Sequence, residues 1–73
     1  MNKGIYSKNH EILIKKLKLA RIAAGLDQSD VAKLLEKTQS CVSKIESGQR
    51  RVDIMQLQNF AKIYKKSINF FIK

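Results

Sequence analysis

The sequence has no proline, only three glycines, and a single cysteine and a single histidine in 73 residues. Without proline no helix has to be interrupted, and a chain rich in Lys, Leu, Ile and Ala favours helices. Cys41 has no second cysteine for an internal disulfide, and with His10 alone it cannot complete a zinc site. Glycine-rich phosphate loops are also absent. We therefore expect a helical protein that needs no metal or other cofactor and is not an enzyme.

Long apolar runs are missing too. No run approaches the roughly 20 apolar residues that a membrane-spanning helix needs, and the opening "MNKGIYSKNHEIL" has no apolar segment of signal-peptide length. Both features predict a cytoplasmic protein. The hydrophobic content of 44% is enough for one small core. We expect a flexible basic segment over residues 1–9 and a single folded domain over residues 10–73.

Acidic residues are few. Fifteen Lys and Arg stand against six Asp and Glu, which gives a formal net charge of +9. So large an excess on a small body favours polyanionic partners, either nucleic acid or an anionic membrane surface. A solvated basic surface with no specific partner would have the same composition. Charge alone leaves these three interpretations open.

Apolar residues recur at helical spacing through most of the chain, which predicts five short helices in an all-α fold. Asp27, Thr38 and Asp53 are placed to cap helix starts, while Gly25 and Gly48 are placed to end helices. The expected core faces are Leu13, Leu17, Ala20 and Ala24; Val31, Ala32, Leu34 and Leu35; Val42 and Ile45; and Ile54, Leu57, Phe60 or Ala61, and Tyr64.

The stretch from Gln28 to Ser47 forms a helix, a tight turn and a second helix. Only Val42 and Ile45 anchor the second helix, and Gln39 stands at its N-terminal tip. At about 100° per residue, four hydrophilic residues fall on the side opposite the anchor. These residues are Ser40, Ser43, Lys44 and Ser47. A helix with an apolar stripe facing the core and small polar residues on its outer face fits the major groove of B-DNA, where base edges offer hydrogen-bond donors and acceptors.

Three segments resemble the Cro/Xre-type helix-turn-helix regulators. They are "GLDQSDVAKLL", "TQSCVSKIESGQRR" and "IMQLQNFAKIY", and their order and spacing match that family over about residues 14–71. The resemblance implies a compact five-helix lambda-repressor-like DNA-binding domain whose helix-turn-helix covers about residues 28–47. It also implies double-stranded DNA as the partner.

The resemblance assigns roles to individual residues. Those expected to face bases are Gln39, Ser40, Ser43 and Lys44. Those expected at the DNA backbone are Gln28, Lys37, Thr38, Arg50 and Arg51. Gln28 is also expected to brace the second helix of the motif. Arg21 and Glu46 match an interior ion pair of the family.

Several of these roles have plainer alternatives. Gln39 would read adenine through its amide, or it would bond only to Gln28 or a nearby backbone group. Lys44 would contact a phosphate or a guanine. Ser40 and Ser43 would be ordinary solvated residues if they contact no base.

Two turns depart from the family pattern. Glu36-Lys37 and Lys65-Lys66 stand where a glycine followed by an apolar residue is usual. Either Glu36 adopts the left-handed conformation at a cost on the order of 1 kcal/mol, or the turn has another geometry.

The last residues, "INFFIK", are too apolar for one small core. We expect Ile68 and Phe71 inside, and Phe70 and Ile72 with Ile63 in a dimer interface, the alternative being a loosely ordered tail. The predicted function is a homodimeric regulator, a repressor or operon controller, that binds a pseudo-palindromic operator. The alternative is an antitoxin-type module that sequesters a partner protein and binds DNA secondarily. Capped, periodic helices argue against a peptide that folds only on a membrane.

Overall fold

Five helices and their connections make up residues 8–72, the part of the chain that the structure, a computed structural model, describes. The helices are α1 Lys8–Ala23, α2 Gln28–Leu35, α3 Gln39–Glu46, α4 Ile54–Tyr64 and α5 Ile68–Ile72. The predicted all-α fold with five helices is confirmed. Helix α1 begins at Lys8, so Lys8 and Asn9, which we had expected in the flexible segment, are helical. The remainder of that segment, residues 1–7, lies outside the described residues.

Side-chain caps start the three central helices. Asp27 accepts a hydrogen bond from the backbone N–H of Asp30 at 2.8 Å, and the Asp30 carboxylate accepts one from the N–H of Asp27 at 3.1 Å. Asp53 and Gln56 repeat this reciprocal pair at the start of α4. Thr38 caps α3 through its hydroxyl. Each capped helix therefore begins where the sequence predicts, because these bonds satisfy N–H groups that lack a partner within the helix.

Left-handed residues end four helices. Gly25 and Gly48 have φ of 75° and 84°, and Glu36 and Lys65 both have φ of 57°. After Glu36 the next N–H donates to the carbonyl of Ala32 at 2.8 Å, and the corresponding bond at the end of α4 is 2.9 Å. The question about the Glu36-Lys37 turn is thereby answered: the chain keeps the geometry that glycine would favour and places charged residues in it.

The core lies among all five helices, since α1 packs against α3, α4 and α5, and α2 packs against α3 and α4. Its buried apolar members are Ile14, Leu17, Ala20, Val31, Ala32, Val42, Ile45, Leu57, Phe60, Ala61, Tyr64 and Phe71. Leu13, Leu35 and Ile68 are partly buried against them. The sequence prediction is therefore correct for most core positions.

Three of the expected core residues are exposed. Leu34 is 58% exposed and Ile54 is 59% exposed, and Ala24 is exposed beyond the end of α1. At about 100° per residue, Leu34 points to the side of the face formed by Val31 and Leu35. Ile54 likewise lies off the centre of the buried face of α4. Assigning them to the core was wrong, because a helical period gives the spacing of a stripe but not its width.

Candidate nucleic-acid interface

Helix α3 presents one polar face to solvent. Its two anchors are buried, Val42 at 0% and Ile45 at 2% exposure. The residues expected to face bases, Gln39, Ser40, Ser43 and Lys44, are all exposed. The helix thus has the orientation that its sequence predicts, with the apolar stripe inside and the hydrogen-bonding residues outside.

An ion pair fixes the C-terminal end of α3 to α1. Arg21 donates to the Glu46 carboxylate through Nε at 2.7 Å and through Nη2 at 3.2 Å. The Arg21 and Glu46 side chains are only 14% and 3% exposed. The hydrogen bond to Glu46 raises the pKa of Arg21, and the opposing effect of burial is smaller. Arg21 Nη1 also donates to the carbonyl of Leu26 at 3.0 Å, so one guanidinium joins α1, the turn after it and α3.

Gln28 joins the same network. Its Nε2 donates to Glu46 Oε1 at 3.1 Å, so the first residue of α2 braces the last residue of α3. The sequence analysis expected Gln28 to contact a phosphate and to brace the next helix. The amide has two N–H groups, and the bond to Glu46 uses one, so the other remains for a phosphate.

The remaining residues expected at the DNA backbone flank α3 in the chain, two directly before it and two shortly after it. Lys37, Thr38, Arg50 and Arg51 are all exposed. The Thr38 hydroxyl accepts from the N–H of Cys41 at 3.1 Å, which leaves its own O–H to donate. Arg50 Nη1 lies 3.6 Å from Cys41 Sγ. The loop after α3 therefore folds back and holds a guanidinium beside the first turn of that helix.

A groove that the sequence analysis did not anticipate runs along the other flank of α3. It lies between α1 and the C-terminal end of α3, with a volume of about 380 Å³. Its lining residues are His10, Glu11, Ile14, Lys15, Lys18, Glu46, Ser47 and Gly48. Sequence reasoning gave Lys15 and Lys18 no role, because only the packing of α1 against α3 brings them beside the interface.

Tyr64 is buried close to the ion pair. Within residues 8–72 its hydroxyl finds no hydrogen-bond partner. Burial raises the pKa of Tyr64 well above its usual value, the negative charge of Glu46 raises it further, and Arg21 acts in the opposite direction. The phenol is therefore held in its neutral form.

The residues expected in a dimer interface lie in different places. Ile72 is exposed and lines a groove of about 360 Å³ together with Ile12 of α1. Ile63 is partly buried and lines a separate groove with Leu34. Phe71, expected inside, is buried.

Phe70 is exposed beside two cations. Its ring centroid lies 5.0 Å from Lys66 Nζ and 6.0 Å from Lys16 Nζ, and its ring meets the Phe71 ring edge to face. The surface around Phe70 is therefore basic as well as apolar.

Neither a metal site nor a membrane-spanning helix is found among residues 8–72. No three His, Cys, Asp or Glu side chains cluster where they could hold a metal ion. No helix in this range has the length and apolar content needed to span a bilayer.

The crossing of α2 and α3, the exposed polar face of α3 and the ion pair behind it define a helix-turn-helix protein. A family model described as helix-turn-helix matches residues 17–71, which is most of the chain. The chain therefore belongs to the helix-turn-helix family, as a DNA-binding transcription regulator of the Cro/Xre type. Searches of curated proteins and of solved structures found no match.

Proposed function

We propose that this regulator is sequence-specific and binds a pseudo-palindromic operator as a homodimer, with α3 in the major groove. The observation that carries the proposal is the exposed polar face of α3 on the fully buried anchors Val42 and Ile45. Eight residues of helix are about 12 Å long, and the major groove is about 12 Å wide. The helix can therefore lie in the groove while the protein body stays outside.

Gln39 is the principal base-reading residue in this proposal. It is the first residue of α3 and is exposed, and its amide can donate to N7 and accept from N6 of one adenine. Ser40 and Ser43 would bond to neighbouring base edges. Lys44 would contact a guanine or a phosphate, since its flexible ammonium can reach either.

Backbone contacts would hold the register of α3 without reading sequence. Lys37 and Arg50 lie beside Cys41 on one flank of the helix, and Gln28 bonds to Glu46 on the flank that faces α1. Arg51 follows Arg50 in the chain and is exposed. Because each neutralised phosphate releases counterions, affinity should fall steeply as salt rises.

The geometry of the site supports a homodimer. One chain has one such helix, whereas two-fold operators are read at half-sites about 34–36 Å apart. The chain measures 33 × 25 × 20 Å, so two copies side by side can span that distance. The groove of Ile12 and Ile72 is the proposed contact, since a symmetric contact centred on Phe70 would bring together four ammonium groups, those of Lys16 and Lys66 from each protomer. Phe70 and Ile63 do not line this groove and remain separate predictions.

Bound at a promoter in the cytosol, the dimer would act as a repressor by occluding polymerase, or as an operon controller. Selection of bound duplexes from a random pool tests the proposal directly. We expect an inverted repeat with its half-sites about one helical turn apart. A pool with no enriched sequence, or a single unrepeated site, would contradict it.

The selected duplex then tests Gln39. Gln39→Ala should weaken binding by about 5- to 150-fold, as expected for about 1–3 kcal/mol of lost base discrimination. Gln58→Ala removes the same side chain from an exposed position on α4 and should leave affinity unchanged. Fluorescence anisotropy measures both.

The second candidate function is an antitoxin-type module that sequesters a partner protein. The observation in its favour is the exposed Phe70 between Lys16 and Lys66, a basic and apolar surface that suits an acidic protein. If Phe70→Ala at high protein concentration keeps full duplex affinity while Gln39→Ala loses it, DNA recognition is the primary activity. Duplex binding that requires an added partner protein would favour the antitoxin-type module.

A further inference from the structure

We infer that the groove between α1 and the C-terminal end of α3 is a second contact for the DNA backbone, made by Lys15 and Lys18. The inference rests on the proposed DNA binding and extends it to residues of α1. The occupant is the phosphodiester strand that runs along the α1 flank of α3. The groove is open, and it is lined by two ammonium side chains and the C-terminal end of α3.

The two lysines share one side of α1. They are three residues apart, hence neighbours on the helix surface, and both line the groove with Ser47 and Gly48. Lys16, between them in sequence, points elsewhere, with Nζ 6.0 Å from the ring of Phe70. The lysines of α1 are thus divided between two surfaces, and only one of these adjoins α3.

A duplex lying over α3 has a strand on each flank of the helix. Arg50 contacts Cys41 on one flank, and Glu46, which bonds to Arg21 and Gln28, lies on the other. Cys41 and Glu46 are about 140° apart around the helix, at about 100° per residue.

The predicted contacts are therefore unevenly distributed. Arg50 provides a cation on the Cys41 flank, whereas the predicted contact on the α1 flank is the neutral amide of Gln28. Lys15 and Lys18 provide the missing positive charge on that flank.

The acidic groups in the groove do not cancel the positive charge of Lys15 and Lys18. Glu46 is buried and its charge is compensated by Arg21. Glu11 is exposed and lies one helical turn before Lys15, so it offsets part of one positive charge. Removing that charge should strengthen phosphate binding. Glu11→Gln is therefore expected to bind DNA more tightly than the wild type.

The salt dependence of duplex binding tests the inference. Each phosphate contact contributes about 0.9 to the slope of log affinity against log salt. Lys15→Ala/Lys18→Ala removes two such contacts from each protomer, so it should lower the slope by roughly two per half-site and by roughly four for the bound homodimer. The double variant should bind selected and unrelated duplexes more weakly by the same factor, because backbone contacts carry no sequence information. Phosphate-ethylation interference should lose the positions that these lysines contact.

The matched control is Lys16→Ala/Lys66→Ala, which removes the same charge from the surface around Phe70. It should keep the wild-type slope and interference pattern, and circular dichroism would verify that all variants fold. An equal loss of slope in both double variants, or no loss in Lys15→Ala/Lys18→Ala, would overturn the inference.

The two proposals fail in different ways. If Gln39→Ala loses selectivity while Lys15→Ala/Lys18→Ala keeps the full slope, the backbone contact is wrong and the regulator stands. If the wild-type protein binds no duplex with selectivity, the base-reading proposal is wrong. If it binds no duplex at all, the backbone contact is wrong as well.

Discussion

Replacing Glu46 by Ala should remove a large share of the stability of this domain. The carboxylate accepts three hydrogen bonds, two from Arg21 and one from Gln28, at 2.7–3.2 Å. In the variant the guanidinium would retain only the Leu26 carbonyl as a partner. Removing one member of a buried pair costs about 3–5 kcal/mol, because the other charge is left uncompensated.

The lower end of that range applies here. The Arg21 side chain is 14% exposed, so water can recover part of the lost interaction. We therefore expect a loss of about 3 kcal/mol in the free energy of unfolding. A domain of this size has a total free energy of unfolding near the lower end of about 5–15 kcal/mol. Glu46→Gln, which keeps the shape and removes the charge, should show a smaller loss and remain folded.

Urea unfolding followed by circular dichroism measures these differences, with Glu11→Ala as the exposed control expected within about 0.5 kcal/mol of wild type. A double-mutant cycle with Arg21→Ala isolates the pair. Once Glu46 is gone, removing Arg21 should cost little further stability. The sum of the losses in unfolding free energy of the two single variants should therefore exceed the loss of the double variant by at least about 1 kcal/mol. Additive losses, or a loss below about 1 kcal/mol for Glu46→Ala, would refute the reasoning.

Two further predictions concern a turn and a buried phenol. Glu36→Gly should raise the thermal midpoint, because a left-handed residue other than glycine costs about 1 kcal/mol, while Gly25→Ala, at φ 75°, should lower it. Shifts of the same sign would contradict this account. The raised pKa of Tyr64 means that the folded state holds its proton more tightly than the unfolded state, so this contribution to stability is complete below about pH 10 and is lost above it. Urea midpoints at rising alkaline pH should therefore fall less steeply in Tyr64→Phe than in the wild type, and equal slopes would exclude the effect.

Helix boundaries could be predicted well because their causes are local. Asp27 and Asp53 each bond to a backbone N–H three residues ahead, and Gly25 and Gly48 occupy left-handed positions that glycine favours. The left-handed conformation of Glu36 could not be decided in this way. There the cost of a left-handed residue is only about 1 kcal/mol, which is too small to decide the turn from the sequence.

Residues whose roles depend on the arrangement of helices were harder to predict. A helical period placed Leu34 in the core because it cannot give the width of the buried face. The pairing of Arg21 with Glu46 came from family resemblance, since nothing local connects residues 25 positions apart. Neither the choice of Glu46 as the partner of Gln28 nor the groove beside Lys15 and Lys18 was anticipated. Both depend on how α1, α2 and α3 meet, which no single segment encodes.

The distribution of acidic residues links the fold to its proposed partners. Asp27, Asp30 and Asp53 cap helices, and Glu46 is buried with Arg21. Of the six acidic residues, this leaves only Glu11 and Glu36 with carboxylates that neither cap a helix start nor lie in the core; Glu36 ends α2 through its backbone. Most of the acidic residues therefore serve the fold, while most of the Lys and Arg side chains among residues 8–72 are exposed.

This charge distribution should act in opposite directions on the two proposed association steps. Two such chains repel each other, so salt should strengthen the homodimer by screening. Salt should weaken DNA binding, because phosphate contacts release counterions. At low salt the duplex itself offsets the repulsion between protomers, so dimerisation would be completed on the operator rather than before it. Control by protein concentration would then be exerted at the DNA, where two weakly associating chains become one tightly bound pair.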